Sequence, residues 1–154
     1  MKNYAKPIGW GIGIIAAVGV AGILLLTLVA LLLETNPPTT QEPAWDSPQT
    51  RALAKRACFD CHSNETAWPW YDRLPVSSWL AVFDVVRGRN HLNFSEWGTT
   101  PRRGEGGGEG GGDMGEVIRR GSMPPALYTT MHPEAVFSDA EKQQLIDGLA
   151  KSLK

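Results

Sequence analysis

Only two of the 154 residues are cysteines, Cys58 and Cys61, and one of only three histidines, His62, follows directly on the second. A structural zinc site draws on four ligands, commonly a further Cys or His pair at short spacing, whereas His91 and His132 each stand alone. A thioredoxin-like redox pair shares the two-residue spacing but sits after a strand in a βαβ pattern, and no alternating run precedes Cys58. A disulfide between the two thiols stays open for an exported chain. Excess charge is lacking as well: fifteen Lys and Arg stand against sixteen Asp and Glu, which suggests neither nucleic acid nor a strongly acidic substrate as partner. The stretch "GTTPRRGEGGGEGGGD" has no strand before it and no P-loop lysine, so it is not a phosphate cradle. Its Gly and Glu run at 104–112 has nothing to bury and is expected to be a mobile spacer loop.

Charge is absent altogether from Ile8 to Leu33, a run rich in Ile, Leu, Val, Ala and Gly. As a helix rising about 1.5 Å per residue it reaches about 39 Å, more than the roughly 30 Å hydrocarbon core of a bilayer. A cleaved signal peptide has a shorter apolar region that ends in a small-x-small site. Here Leu31, Leu32 and Leu33 continue the run where that site belongs, so residues 8–33 are expected to be an uncleaved transmembrane anchor. Lys2 and Lys6 precede the run and no Lys or Arg follows until Arg51. The positive-inside rule then places residues 1–7 in the cytoplasm and everything after Leu33 outside. Gly9, Gly13, Ala17 and Ala21 form one smooth helix face on which another membrane helix could pack.

Residues 34–47 hold Pro37, Pro38 and Pro43 and little that is apolar, the composition of a semi-rigid extended tether. Residues 48–154 are enough for one small domain, marginal without a staple or cofactor.

The stretch "CFDCHSNETAWPWY", Cys58 to Tyr71, suggests which cofactor. Cys-x-x-Cys-His is the attachment sequence of c-type haem, in which two thiols add to the vinyl groups and the adjoining imidazole ligates iron on one face. One short helical turn must present both sulfurs to one porphyrin edge while His62 swings under its centre. For a sixth ligand the chain offers Met114, Met123, Met131, His91 and His132. Methionines more often fill cores. Met123 stands out because it lies in "GSMPP", where Gly121 is expected to end a helix and Pro124 and Pro125 stiffen an extended segment, presenting the side chain from a loop. His132 is the runner-up, and His91 is read as a loop residue.

The scaffold reads as helical. Ser47 and Pro48 resemble an N-cap and first-turn proline for a helix running into the haem motif. A second helix is expected from Ser77 or Ser78 to Gly88, and a third over "DMGEVIRR" with Asp113 and Glu116 as a capping pair and Gly121 closing. The last carries a Ser138 and Glu141 capping box followed by Leu145, Ile146, Leu149 and Leu153 at helical spacing. The first and last of these helices have the faces to pack together. Trp68, Trp70, Tyr71 and Trp97 are candidate aromatic walls for a porphyrin, with indole and phenol groups able to reach a propionate. Arg87 and Arg89 are candidate propionate partners, and Pro75 is a candidate to position a loop whose carbonyl accepts the proximal imidazole N–H.

Together "CFDCHSNETAWPWY", "GRNHLNFSEW" and "GSMPPALYTTMHPEA" resemble the bacterial haem-binding domain family of small, often membrane-anchored c-type cytochromes, over roughly Arg51 to Leu149. The resemblance implies an all-α monohaem domain of class I cytochrome c type. It implies Cys58 and Cys61 as thioether residues, His62 as proximal ligand and Met123 as distal ligand. The chain departs from the family at "LPVSSW", where Ala-Pro-Val-Ser-Trp is frequent, and at Phe83, where a histidine is frequent. Its Gly-rich loop replaces a more ordinary charged segment.

The function expected is single-electron transfer by a haem c protein held in a bacterial inner membrane, with its domain on the periplasmic side. It would not be an enzyme in its own right. It would act with redox protein donors and acceptors, free or as a subunit of a respiratory or photosynthetic complex. The competing expectation is a gas or redox sensor or weak peroxidase, which needs an open or labile sixth position.

Overall fold

The computed structural model describes residues 8–98 and 110–152. Residues 1–7 with Lys2 and Lys6, the stretch at 104–109 and Leu153 lie outside it. Among the described residues the chain is all-helical, its one extended pairing being a single parallel bridge between Gln41 and Glu96. Helices α1 (Ile8–Leu33), α2 (Pro48–Ala57) and α3 (Phe59–His62) are followed by a 3-10 turn at Trp70–Arg73. Next come α4 (Ser77–His91), α5 (Gly110–Arg119), α6 (Ala126–Met131), a 3-10 turn at Pro133–Ala135, and α7 (Asp139–Ser152). The chain divides into two compact units, Met1–Thr35 with Trp68–Phe83, and Asn36–Ala67 with Asp84–Lys154.

In the first unit, α1 is long and apolar enough to cross a membrane, with mean hydropathy 2.8 over Trp10–Leu33. Its apolar side chains are exposed from Trp10 through Leu26, whereas Thr27 and Ala30 are buried. The 3-10 turn Trp70–Arg73 contacts this helix. Ser77 Oγ donates to the Tyr71 carbonyl at the start of α4, where the sequence places a helix start.

The second unit carries the core: Leu53, Ala54 and Ala57 of α2, Phe59, Phe94, Ile118 of α5, Ala135, Phe137, and Leu145, Ile146 and Leu149 of α7. Ser47 caps α2 by accepting from the Thr50 N–H at 3.2 Å, with Pro48 in the first turn. Ser138 and Glu141 form the expected reciprocal box on α7, Ser138 N–H donating to Glu141 at 2.8 Å and Glu141 N–H to Ser138 Oγ at 3.3 Å. As expected, α2 packs on α7, and the contact is close: a Cβ at Gly148 would stand 2.1 Å from Thr50 Oγ1. Arg56 of α2 pairs with Glu141 at 2.7 Å and lies 4.7 Å over the Phe137 ring.

Three expectations need correction. Residues 36–46 are extended, as their prolines require, but they are docked on the second unit and are not a free tether. Thr40 and Gln41 N–H donate to the Ser95 carbonyl, Trp97 N–H donates to the Gln41 carbonyl, and Trp45 packs on Phe59 and Phe94. Glu42 makes a two-point pair with Arg51 at 2.6 and 2.7 Å, so the stretch brings both an aromatic and a carboxylate to the domain. Next, α5 starts at Gly110, inside the run read as loop, so Asp113 lies within the helix and not at its cap. Third, α4 does not stop at Gly88; it continues to His91, the reason lying in the next element it meets.

Candidate functional site

The turn from Cys58 to His62 is a single helical turn, closed by His62 N–H donating to the Cys58 carbonyl at 2.8 Å, with Cys58 itself tied to the Ala54 carbonyl at 2.8 Å. Both thiols are therefore carried by one rigid piece of chain, and both are free. The two intervening residues fix it from opposite sides. Phe59, 1 % exposed, stacks on Phe94 at 5.6 Å and lies under the Arg51 guanidinium at 5.2 Å. Asp60 is a hydrogen-bond hub: its carboxylate accepts from Ala67 N–H at 2.9 Å and from Tyr128 Oη at 2.6 Å, and its carbonyl accepts from Thr66 at 2.8 Å.

The imidazole of His62 is oriented by backbone. Its Nδ1 lies 3.0 Å from the Gly88 carbonyl and 3.2 Å from the Leu92 carbonyl. Two carbonyls can only accept, so Nδ1 carries the proton and Nε2 keeps its lone pair. Burial lowers the pKa of His62, more than the two carbonyls raise it, which favours the neutral ring that can ligate a metal. The acceptor is thus not Pro75, whose carbonyl instead takes the Ser78 hydroxyl at 3.3 Å. Leu92 lies just past the end of α4, where carbonyls have no helical partner, and that end is available because the helix runs on past Gly88. A Cβ at Gly88 would stand 2.2 Å from the Cys61 carbonyl oxygen, so glycine lets α4 press directly on the haem-motif turn.

The chain after His62 is clipped by "LNFSEW". Phe94 N–H donates to the His62 carbonyl at 2.8 Å, Asn93 donates to Asn64 at 2.9 Å, and Asn64 N–H donates to Ser95 Oγ at 2.9 Å. Arg89 Nε donates to the Ser63 carbonyl at 2.7 Å and its Nη2 to Thr66 Oγ1 at 2.8 Å, which puts this expected propionate partner to work holding the same loop. Trp97 stacks on Phe94 at 6.3 Å, at the edge of the core. Arg87 and His91 are exposed on α4, His91 being its last residue and not a loop position. Trp68, Trp70 and Tyr71 belong to the first unit. There Trp70 is 73 % exposed, in edge contact with Tyr71, and the Trp68 indole N–H is buried without a hydrogen-bond partner.

Met123 follows α5, which is closed by Gly121 at φ 73° and by Ser122 and Met123 N–H donating to the Val117 carbonyl. Its side chain is 41 % exposed and borders a cavity of about 170 Å³, whose walls include Pro124, Thr129, Val136, Phe137 and Lys142. Of the other candidates, Met114 lies on α5, Met131 ends α6 half-exposed, and His132 stacks on Tyr128 at 4.2 Å with Nδ1 3.0 Å from Glu134. The segment carrying Met123 and α6 is joined to the Cys-x-x-Cys-His turn through Tyr128 and Asp60. Burial, reinforced by that carboxylate, pushes the Tyr128 phenol up, so it stays a hydrogen-bond donor.

Tyr128, Asp60, Gly88 and Leu92 were not foreseen as site residues. Only the position of Asp60 between the two cysteines could have signalled one of them, since backbone acceptors leave no residue-type signature.

The donor set fits a haem. The turn offers two free thiols and one neutral imidazole with its outer nitrogen open. Burial pushes both thiols up to about 12, so both are protonated at neutral pH. None of the curated proteins and none of the solved structures compared matches the chain. A sequence model of the haem-binding domain family does match, over residues 22–151, and the chain belongs to that family.

Proposed function

We propose that this protein is a membrane-anchored monohaem c-type cytochrome of class I type that carries single electrons. Cys58 and Cys61 would bind haem c covalently, and His62 Nε2 and Met123 would ligate its iron. The observation that carries the reading is the His62 ring, locked by two backbone carbonyls on a turn that also bears both thiols. A bound haem supplies one-electron redox chemistry, and a thioether sixth ligand raises its potential while occupying the site a substrate would need. The residues of this chain orient the proximal ring, exclude water from it and hold the thiols in register. The apolar α1, with lysines before it and none until well after it, supports a single span with the N-terminus in the cytoplasm of a bacterial cell and the domain in the periplasm. Redox proteins in or near that membrane are then the donor and acceptor.

Visible spectra of the detergent-extracted, matured protein test the reading. Haem retained through denaturing electrophoresis, and lost in Cys58→Ala, is expected for covalent attachment. The wild type is expected to show the weak long-wavelength band of sulfur-ligated ferric haem and no response of the reduced form to carbon monoxide. Met123→Ala is expected to lose the band and gain the response. Ready carbon monoxide binding by the wild type, unchanged in Met123→Ala, would reject Met123 and favour the sensor or peroxidase reading.

A further inference from the structure

The first unit carries an exposed apolar surface. Within it, Trp70, Leu74, Val76, Leu80 and Phe83 are 73, 51, 74, 50 and 53 % exposed, and Trp79 is 36 % exposed. Only two residues from Trp70 to Phe83 are charged: Asp72, which is 1 % exposed, and Arg73, which is exposed. The 3-10 turn that begins this stretch contacts α1. The buried positions of α1 are Thr27 and Ala30, at 8 and 0 % exposure, within the apolar run and before its end at Leu33.

Depth follows from the helix rise. Thr27 and Ala30 lie about 9 and 4.5 Å before the end of α1 at about 1.5 Å per residue. Upright and centred, a helix of about 39 Å overhangs a 30 Å hydrocarbon core by about 4.5 Å at each end. Ala30 then sits at the hydrocarbon boundary and Thr27 just inside it. What packs beside them is at the same depth, the zone where Trp and Tyr gather and where a lone exposed Arg can meet lipid phosphate.

We infer that Trp70–Phe83 is a membrane-interface element whose exposed apolar face lies in the outer boundary of the bilayer that α1 crosses, with phospholipid as its partner. The inference rests on reading α1 as a span. It gives that face an occupant and gives α1 a second point of attachment beside the helix itself.

The test uses the full-length, haem-loaded protein in nanodiscs of phosphatidylcholine and phosphatidylglycerol, doped with a phospholipid bearing a diazirine near the top of one acyl chain. After irradiation, adducts are mapped by mass spectrometry. Adducts are expected on peptides covering Trp70–Phe83 as well as on α1, and Val76→Asp with Leu80→Asp should remove most of those on 70–83 while leaving those on α1. Labelling of α1 with none on 70–83 would overturn this inference alone and assign the face to the haem or to another protein. Labelling of 70–83 unchanged by the two aspartates would also overturn it. If α1 itself takes no label, the span reading falls and this inference with it.

Discussion

The two sides of the candidate haem site are built in opposite ways. On the histidine side nearly every group is fixed: Phe59 is in the core, Asp60 accepts two hydrogen bonds through its carboxylate, and His62 is held by two carbonyls. The methionine side is lightly held. Met123 is 41 % exposed, α6 buries none of its residues, and Tyr128 Oη ties the segment to Asp60 at 2.6 Å. The contrast teaches where adaptability resides. Under the proposed ligation, the ring locked by backbone would be the fixed ligand, and the thioether presented from an exposed turn would be the one whose hold on iron can be tuned or lost.

Substitutions can break this contrast, beginning with the largest effect. Phe59→Ala removes the buried ring that fixes the rigid side and should cost about 3–5 kcal/mol in denaturant unfolding followed by circular dichroism. Gly88→Ala drives a Cβ against the Cys61 carbonyl, where backbone must shift. A loss of about 1–3 kcal/mol is expected, with reduced haem incorporation because the carbonyls serving His62 move as well. Wild-type stability and haem content in Gly88→Ala would mean that α4 does not press on this turn.

Tyr128→Phe sharpens the contrast from the other side. It should cost only about 1 kcal/mol, the net value of one hydrogen bond, while raising the carbon monoxide affinity of the reduced protein and leaving covalent attachment intact. A variant with lower haem attachment and no carbon monoxide effect would place Tyr128 with the rigid side.

The smallest effect concerns the capping carboxylate of α7. Glu141 has its carboxyl held down from 4.5 to about 2, first by the Ser138 backbone N–H and then by Arg56. A carboxylate with a depressed folded-state pKa stabilises fully above its unfolded value, and that contribution is lost as pH falls from about 4.5 towards 2. Glu141→Gln should therefore be less stable than wild type at neutral pH, and the difference in melting temperature should shrink through that window. A difference that persists unchanged to pH 2 would contradict the pairing.

Much of the scaffold was legible because its signals are local. The Ser47 and Ser138 caps, the helix start at Ser77 and the Gly121 stop each depend on residues within one turn of chain. Gly88 misled for a physical reason. Glycine ends helices when its conformational freedom is wanted, but here what is used is its missing Cβ, a property visible only against Cys61. The proline-rich stretch misled likewise, since its composition sets an extended backbone but not whether Ser95, Arg51 and the aromatic core will meet it.

The sequence by itself determined the chemistry on offer: two thiols and an imidazole on one turn, an uncharged run of bilayer length, and membership of a haem-binding family. Each is a covalent-range pattern, fixed by spacing along the chain. Only the tertiary structure decided that Gly88 and Leu92 orient His62, that Asp60 and Tyr128 join the Cys-x-x-Cys-His turn to the segment carrying Met123, and that residues 36–46 dock. Those outcomes depend on distant segments approaching within hydrogen-bond distance, and a backbone carbonyl looks the same at every position until the fold brings a donor to it.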